Sequence, residues 1–293
     1  MKITNHLKLP QALLRFADKH SYDPGDSDFT ASSLIEHPRI TRLKAIHRDE
    51  MSDDISNMVM SLVGTAWHAV AADGAAPNEI VEERIFTHIS GAKVSGAIDL
   101  QVPSDGGIKI IDYKTTSAIS VMMNPGGKDS WEQQLNIYAE LVERVKGVEV
   151  TELEVVVLCR DWTRAQVARS KMYPKSAVVS IPVWLWDKSD RKKFLEERVQ
   201  LHLKYFEEFD LPECTPEDRW ENRFAVHEMK LDGLPRKNPK TRASTREKAE
   251  AYINKNDLKA TIIEGDSKRT RCEENYCGVA DFCNQWKGVK DVE

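Results

Sequence analysis

Several familiar features are missing from this sequence, and each absence narrows what it can do. There is no G-x-x-x-x-G-K-[ST] phosphate loop. The nearest stretch, Gly126-Gly127-Lys128-Asp129, lacks both the first glycine at its spacing and the hydroxyl residue, so no ATP motor resides in this chain. No apolar run approaches the length that spans a membrane, and the first residues show no charged-then-apolar leader pattern. The expected setting is therefore the cytoplasm of a bacterium or of a phage-infected host cell, with no membrane partner. Repeats and low-complexity segments are absent, as are the tight C-x₂-C pairs usual in zinc sites. An excess of positive charge is missing as well. With Lys+Arg at 42 and Asp+Glu at 47 the net charge is −5, which argues against a general polycationic nucleic-acid binder but not against an acidic catalytic site.

What is present is an ordinary globular composition, 41% hydrophobic and 30% charged, over 293 residues. That length suits one large core or two modest ones. Basic residues fall in three groups. The first is Arg160, Arg164, Arg169, Lys171 and Lys175. The second is Lys230, Arg236, Lys237, Lys240, Arg242, Arg246 and Lys248, and the third Lys268, Arg269 and Arg271. Each either tracks a phosphate backbone or is a solvated surface.

Hydrophobic periodicity sets the expected elements. Residues 1–20 read as an amphipathic helix with Leu9, Leu13, Leu14 and Phe16 as its apolar positions, ended by the turn-rich Tyr22-Asp23-Pro24-Gly25-Asp26. A long helix capped by Ser52 or Asp53 follows, with Ile55, Met58, Val59, Leu62, Val63, Ala66 and Val70 at helical spacing. Three strands are expected over Ile80–Ile89, Lys93–Val102 and Ile108–Lys114, then a helix over Trp131–Val145 and a buried strand over Leu153–Cys159. A further strand is expected over Ala177–Trp186, with a charged helix over Lys188–Phe209. After Leu211 the chain turns polar and basic. This order describes a mixed α/β layer fold. It divides as a helical N-terminal segment 1–50, a core 51–210 and a cysteine-bearing region 211–293 packed on that core.

The chemistry concentrates on two strands. Asp112 and Lys114 lie two apart in Asp112-Tyr113-Lys114 and so share one strand face, with Tyr113 on the other. A hairpin through Gly106-Gly107 brings Asp99 beside Asp112. Two adjacent carboxylates repel unless a cation sits between them, and a hard divalent ion is the natural occupant. A neighbouring lysine suits phosphodiester hydrolysis, offsetting charge that builds on the phosphate. A hairpin carrying a surface Asp–Lys ion pair is the bland alternative. His68, on the helix before these strands, stands where a further ligand is wanted. Gln134 and Tyr138, four apart, share a helix face just after the Lys114 strand, suited to a phosphate or base, although Tyr138 also fits the core stripe.

The series Gly64-x-x-x-His68, Gly96-x-x-Asp99, Asp112-Tyr113-Lys114 and Gln134-x-x-x-Tyr138 resembles the RecB-like branch of the PD-(D/E)XK nucleases over residues 60–160. The resemblance implies a restriction-endonuclease-like core whose mixed sheet is flanked by helices. It implies Mg²⁺ or Mn²⁺ held by His68, Asp99, Asp112 and the backbone carbonyl of Tyr113, with Lys114 catalytic and the Gln134–Tyr138 pair touching substrate. An acidic residue on the preceding strand is usual. Glu82 fits best, with Glu83 as the alternative.

Of the five cysteines, Cys159 lies in a buried strand and is read as packing. Cys272-x₄-Cys277-x₅-Cys283, with Cys214 as fourth ligand, suits a [4Fe–4S] cluster or structural Zn²⁺. Compact phage-type relatives carry such an iron–sulfur cluster, and this spacing resembles theirs. In the larger relatives the first cysteine precedes the core, and here nothing before Cys159 is available. The implied activity is a metal-dependent exonuclease acting on single- or double-stranded DNA ends in recombination, repair or phage DNA processing, with a helicase or recombination protein as partner. A non-catalytic nucleic-acid-binding module of the same fold and a structure-specific or restriction-type endonuclease are the competing classes.

Overall fold

The computed structural model describes residues 2–20, 25–206 and 210–290. By internal contacts the chain divides into two units, Met1–Glu36 with Ser52–Glu207, and His37–Met51 with Glu208–Glu293. Residues 1–50, expected to form one helical segment, thus contribute to both. Residues 22–24 of the expected turn, and the expected helix end at 207–209, lie outside the described residues.

In chain order the elements begin with β1 (Lys2–Thr4), α1 (Gln11–Lys19), β2 (Phe29–Thr30), α2 (Ala31–Ile35) and α3 (Pro38–Ile46), the last belonging to the second unit. The expected helix over 1–20 therefore begins only at Gln11, after a short strand that pairs in parallel with β3 (Ser52–Asp54). Next come α4 (Ile55–Asp73), β4 (Ile80–Ile89), β5 (Ala92–Ser104) and β6 (Gly107–Thr116). They are followed by α5 (Ala118–Met123), α6 (Asp129–Lys146), β7 (Val150–Cys159), α7 (Arg164–Arg169), β8 (Val178–Val183) and α8 (Lys188–Lys204).

The first unit is a mixed sheet in the order β2-β5-β6-β7-β8, with β4 paired to β5. Pairing is parallel for β2–β5 and β6–β7, and antiparallel for β4–β5, β5–β6 and β7–β8. Alternation in β7 turns Leu153, Val155, Val157 and Cys159 into the core, where Leu135, Leu141 and Val142 of α6 meet them. Cys159 is packing, as its strand setting predicted. Helix α6 carries Asp129 and Glu132 in its first turn and Arg144 and Lys146 in its last, complementing the helix dipole, and stops at Gly147, whose φ of 66° only glycine adopts cheaply.

One feature of the sheet opens the site. Strand β4 occupies one edge of β5 along most of its length, so β6 and β2 must share the other. The β5–β6 ladder ends at Leu100↔Ile111, and β2 takes over only at Val94 and Ser95. Between these, β5 and β6 part, with Asp99 and Asp112 the next residues on each strand.

Sequence reading found no apolar run of membrane-spanning length, yet α4 is long and apolar enough to cross a membrane by length and composition. It packs against α1 and β6 as a layer of this unit.

The second unit contains a small antiparallel sheet, β10-β9-β11, formed by β9 (Phe224–Glu228), β10 (Thr241–Ala243) and β11 (Ala260–Glu264), with α9 (Arg246–Lys255) packed on it. Short helices α10 (Thr270–Glu273) and α11 (Asn284–Lys290) carry the chain past the last cysteines. No regular element was expected after Leu211, because each of these strands is five residues or fewer and interrupted by polar side chains.

Candidate active site

Helix α4 is started by Asp54, whose carboxylate accepts from the Ser56 amide; the expected caps, Ser52 and Asp53, lie in β3 instead. The helix delivers His68 to the parting strands. Its Nε2–H donates to the Tyr113 carbonyl at 2.9 Å, which leaves Nδ1 3.6 Å from Glu82 and 3.5 Å from Asp99. The ligand atoms of His68, Glu82 and Asp99 all lie within 4.8 Å of one another, the one such group among the described residues. Asp99 also accepts the Tyr113 amide through Oδ2 at 2.7 Å, replacing the ladder bond lost where β5 and β6 part. The Tyr113 carbonyl, expected as a ligand, is thus adjacent to the group and bonded to His68.

Glu82 reaches this group through a kink. Its φ is 50°, in the left-handed region, and it interrupts the β4–β5 ladder between Val81↔Leu100 and Glu83↔Ile98. A non-glycine residue held there costs about 1–2 kcal/mol, the kind of strain that clusters at functional sites. Glu83 serves elsewhere, in an ion pair with Lys146 and a 2.7 Å hydrogen bond from Gln101. Of the two glutamates, Glu82, the better-fitting one from sequence, is the one that groups with His68 and Asp99.

Asp112 is 1% exposed and lies 2.7 Å from the Lys114 ammonium. Lys114 Nζ donates to Gln134 Oε1 at 3.0 Å, and Gln134 Nε2 donates to the Tyr138 hydroxyl at 2.6 Å. The Gln134–Tyr138 pair, expected to touch substrate, therefore holds Lys114 in place, with Tyr138 itself buried. Gly96 permits this. A Cβ there would stand 2.8 Å from both Leu141 Cδ1 and Tyr138 Cδ1, so the glycine lets α6 close onto β5. At Gly64 a Cβ would meet Thr115 Oγ1 at 3.4 Å, an ordinary contact, so nothing steric requires glycine there.

The electrostatics favour a cation. Burial pushes Asp112 up to about 6, with the Asp99 charge adding and Lys114 opposing. Burial works against a charged His68, but hydrogen bonds and charge from Asp99 and Glu82 outweigh it and raise the ring to about 10. Asp112 Oδ2 is buried, with the Lys114 ammonium 2.7 Å away. A buried carboxylate beside a His–Glu–Asp group is a donor set that a divalent ion can take.

The profile of the PD-(D/E)XK nuclease superfamily matches residues 32–284, most of the chain. The chain belongs to the PD-(D/E)XK nuclease superfamily. A solved structure, the crystal structure of SSO0001, is similar at 16% identity with a TM-score of 0.44, covering 64% of this chain and 84% of that one, too distant a likeness to inform function. No curated protein sequence matches the chain.

The four remaining cysteines all belong to the second unit. Cys214, Cys272, Cys277 and Cys283 line one small cavity, and Arg39, Arg219, Arg269 and Arg271 line it with them. The thiols do not form a tight ligand group: among the described residues no three cysteine sulfurs lie within 4.8 Å of one another. Burial pushes Cys214 up to about 12, with Asp218 and the Cys283 and Cys277 thiols adding and Arg39 opposing. Gln285 clamps the Cys214 backbone, accepting from its amide at 2.9 Å and donating to its carbonyl at 3.2 Å.

The basic groups separate. Every member of the first and second groups is exposed. In the third group only Lys268 is exposed. Arg269 and Arg271 turn inward, donating to the Gln285 carbonyl at 3.3 Å and the Asp218 carbonyl at 3.2 Å, and so are structural.

Proposed function

We propose that this chain is a divalent-metal-dependent deoxyribonuclease that hydrolyses phosphodiester bonds from DNA ends, in recombination, repair or phage DNA processing in the cytoplasm. The observation that carries the reading is the convergence of His68, Glu82 and Asp99 beside a buried Asp112–Lys114 pair where two strands part. His68, Glu82, Asp99 and Asp112 would hold Mg²⁺ or Mn²⁺; the Tyr113 carbonyl, which accepts from His68 Nε2, could join them only if that hydrogen bond gave way. A bound ion supplies Lewis-acid polarisation of the phosphate and a water of lowered pKa.

Lys114 does the chain's own electrostatic work. Asp112 and Gln134 fix its ammonium from two sides, so it meets developing negative charge on the phosphate without reorganising. Gln134 and Tyr138 act as positioning residues for that lysine. Asp112 must be ionised to serve as a ligand, and its raised pKa means that below pH about 6 loss of its proton accompanies metal binding.

The exposed cations of the first two basic groups would bear on phosphates without base reading; action from ends rests on the resemblance of the His68, Asp99, Asp112–Lys114 and Gln134–Tyr138 series to the RecB-like branch. A helicase or recombination protein would supply ends. In the second unit, four thiols lining one cavity with four arginines is a donor set suited to a [4Fe–4S] cluster, the arginines offsetting its negative charge. Structural Zn²⁺ is the alternative. The cluster would tie Cys214 to the segment around Cys272, Cys277 and Cys283, both within the second unit.

The test is digestion of linear and covalently closed circular duplex at equal phosphate concentration with Mg²⁺ or Mn²⁺. Progressive shortening of linear DNA with closed circles spared supports end-directed cleavage. Comparable loss of closed circles identifies an endonuclease, and no cleavage of either identifies a binding module.

A further inference from the structure

The hairpin joining β9 to β10 has a shape and chemistry that the cleavage site does not use. Its stem is closed by an antiparallel bridge between Met229 and Pro235 and by Lys230 N–H donating to the Leu234 carbonyl at 2.8 Å. The turn satisfies itself. Asp232 Oδ1 accepts from the Leu234 amide at 3.0 Å, and Gly233 takes the positive φ of 81° that the tight reversal needs. This short, stiff turn holds two leucines out in solvent: Leu231 is fully exposed, at 111% of its reference area, and Leu234 is 58% exposed.

The hairpin and the start of β10 also carry an excess of cations. Lys230, Arg236, Lys237, Lys240 and Arg242 are all exposed, against the single acid Asp232 within the loop. Glu228 pairs with Arg236 at 3.4 Å and with Lys240 at 3.1 Å, and Lys230, Lys237 and Arg242 form no ion pair among the described residues. A leucine held in water by a rigid turn wastes apolar surface unless a partner covers it. The cations specify that the partner is a polyanion with apolar faces. Nucleic acid meets both requirements, because aliphatic side chains can wedge between bases while neighbouring cations take the phosphates. An anionic lipid surface would also attract the cations, but two leucines bury too little chain to hold a membrane.

We propose that the 229–240 hairpin is a base-wedging DNA contact, in which Leu231 and Leu234 cover unstacked bases at a duplex end or fork while Lys230, Lys237 and Arg242 hold the adjoining phosphates. The nature of the partner rests on the nuclease reading; the hairpin's form does not. The contact would open the last base pairs of a duplex and favour frayed ends over blunt ones.

The experiment uses the full chain carrying Asp112→Asn, so that DNA survives, and a forked duplex with 2-aminopurine at the junction. Binding should raise the 2-aminopurine fluorescence as the junction unstacks. Adding Leu231→Ser and Leu234→Ser should abolish that rise and weaken binding about tenfold per leucine, from the ordinary free energy of covering such a side chain. Both positions are exposed, so the melting temperature should hold. Lys230→Ala, Lys237→Ala and Arg242→Ala together should instead lower the salt dependence of binding by about three counterions. Unchanged affinity and fluorescence in the leucine double variant would overturn the wedge. So would leucine-dependent binding to phosphatidylglycerol vesicles with none to DNA. Leucine-dependent fork binding by a chain that, with Asp112 restored, cuts no DNA would uphold the wedge and refute the nuclease reading.

Discussion

Replacing Gly96 by alanine sets two effects of opposite sign against each other. Gly96 lies in the middle of β5 without a positive φ, so alanine would ordinarily stabilise the fold by about 0.5–1 kcal/mol through lost chain entropy. The added methyl, however, would stand 2.8 Å from Leu141 Cδ1 and from Tyr138 Cδ1. Both side chains are held fast, Leu141 at 0% and Tyr138 at 5% exposure, so neither can swing clear. Overpacking of that kind costs about 1–3 kcal/mol, and the balance is a net loss of about 0.5–2 kcal/mol. Displacement of Tyr138 also loosens Gln134, and with it the Lys114 ammonium, so the turnover number should fall more than stability alone explains. Urea unfolding should show a lower midpoint at unchanged slope, and single-turnover cleavage at 25 °C, far below the transition, should be slower. A variant as stable as the parent, with full activity, would refute the idea that Gly96 exists to admit α6.

Other consequences can be measured separately. Glu82→Gly should be about 1 kcal/mol more stable than Glu82→Ala, since both lack the carboxylate but only glycine tolerates the positive φ; equal stability would remove the strain argument. His68 is raised to about 10 from an ordinary value near 6.5, so its contribution to stability is complete below pH about 6.5 and is lost as pH rises through about 10. Metal-free protein should therefore weaken over that window, and His68→Ala should flatten the dependence. Because the same proton must leave for His68 to bind metal, apparent Mn²⁺ affinity should rise about tenfold per pH unit below 10, read by calorimetry with proton release. Anaerobically purified protein should be brown, with Cys214→Ser or Cys277→Ser bleaching it and Cys159→Ser leaving the colour; a colourless protein with stoichiometric zinc would show that the cavity holds the other metal.

The sheet and the relative placement of the candidate residues were readable from sequence because both rest on local pattern. Strand alternation placed β4 through β7 within a few residues, and the two-residue spacing of Asp112 and Lys114 fixed their common face. The kink at Glu82 was not readable, since a glutamate with positive φ is held by its surroundings and not by its own preference. The fork between β5 and β6 was hidden for a similar reason: where a ladder ends depends on which strand comes next, and β2 lies some sixty residues earlier in the chain. Gln134 and Tyr138 were rightly placed on one helix face, but a one-dimensional pattern does not show whether such a pair faces substrate or a lysine. Arg269 and Arg271 were expected on a phosphate track or a solvated surface, because composition cannot tell an inward arginine from an outward one. The small sheet of the second unit escaped because strands of three to five residues carry too little periodicity to stand out.

Asp112→Asn tests the central claim most directly. Burial makes the ionised carboxylate costly, and its pKa is raised to about 6 from an ordinary value near 3.8. The stability present below pH about 3.8 is therefore lost as pH rises through about 6, and at pH 8 the metal-free variant should be at least as stable as the parent. The measurement is cleavage of end-labelled linear DNA in Mn²⁺ by parent and variant at pH 8, beside their melting curves without metal. The account predicts an undiminished melting temperature with cleavage lost by a factor of at least about 10³, as expected when a ligand of the catalytic ion is removed. Full cleavage by a folded Asp112→Asn protein, with contaminating nuclease excluded, would contradict it.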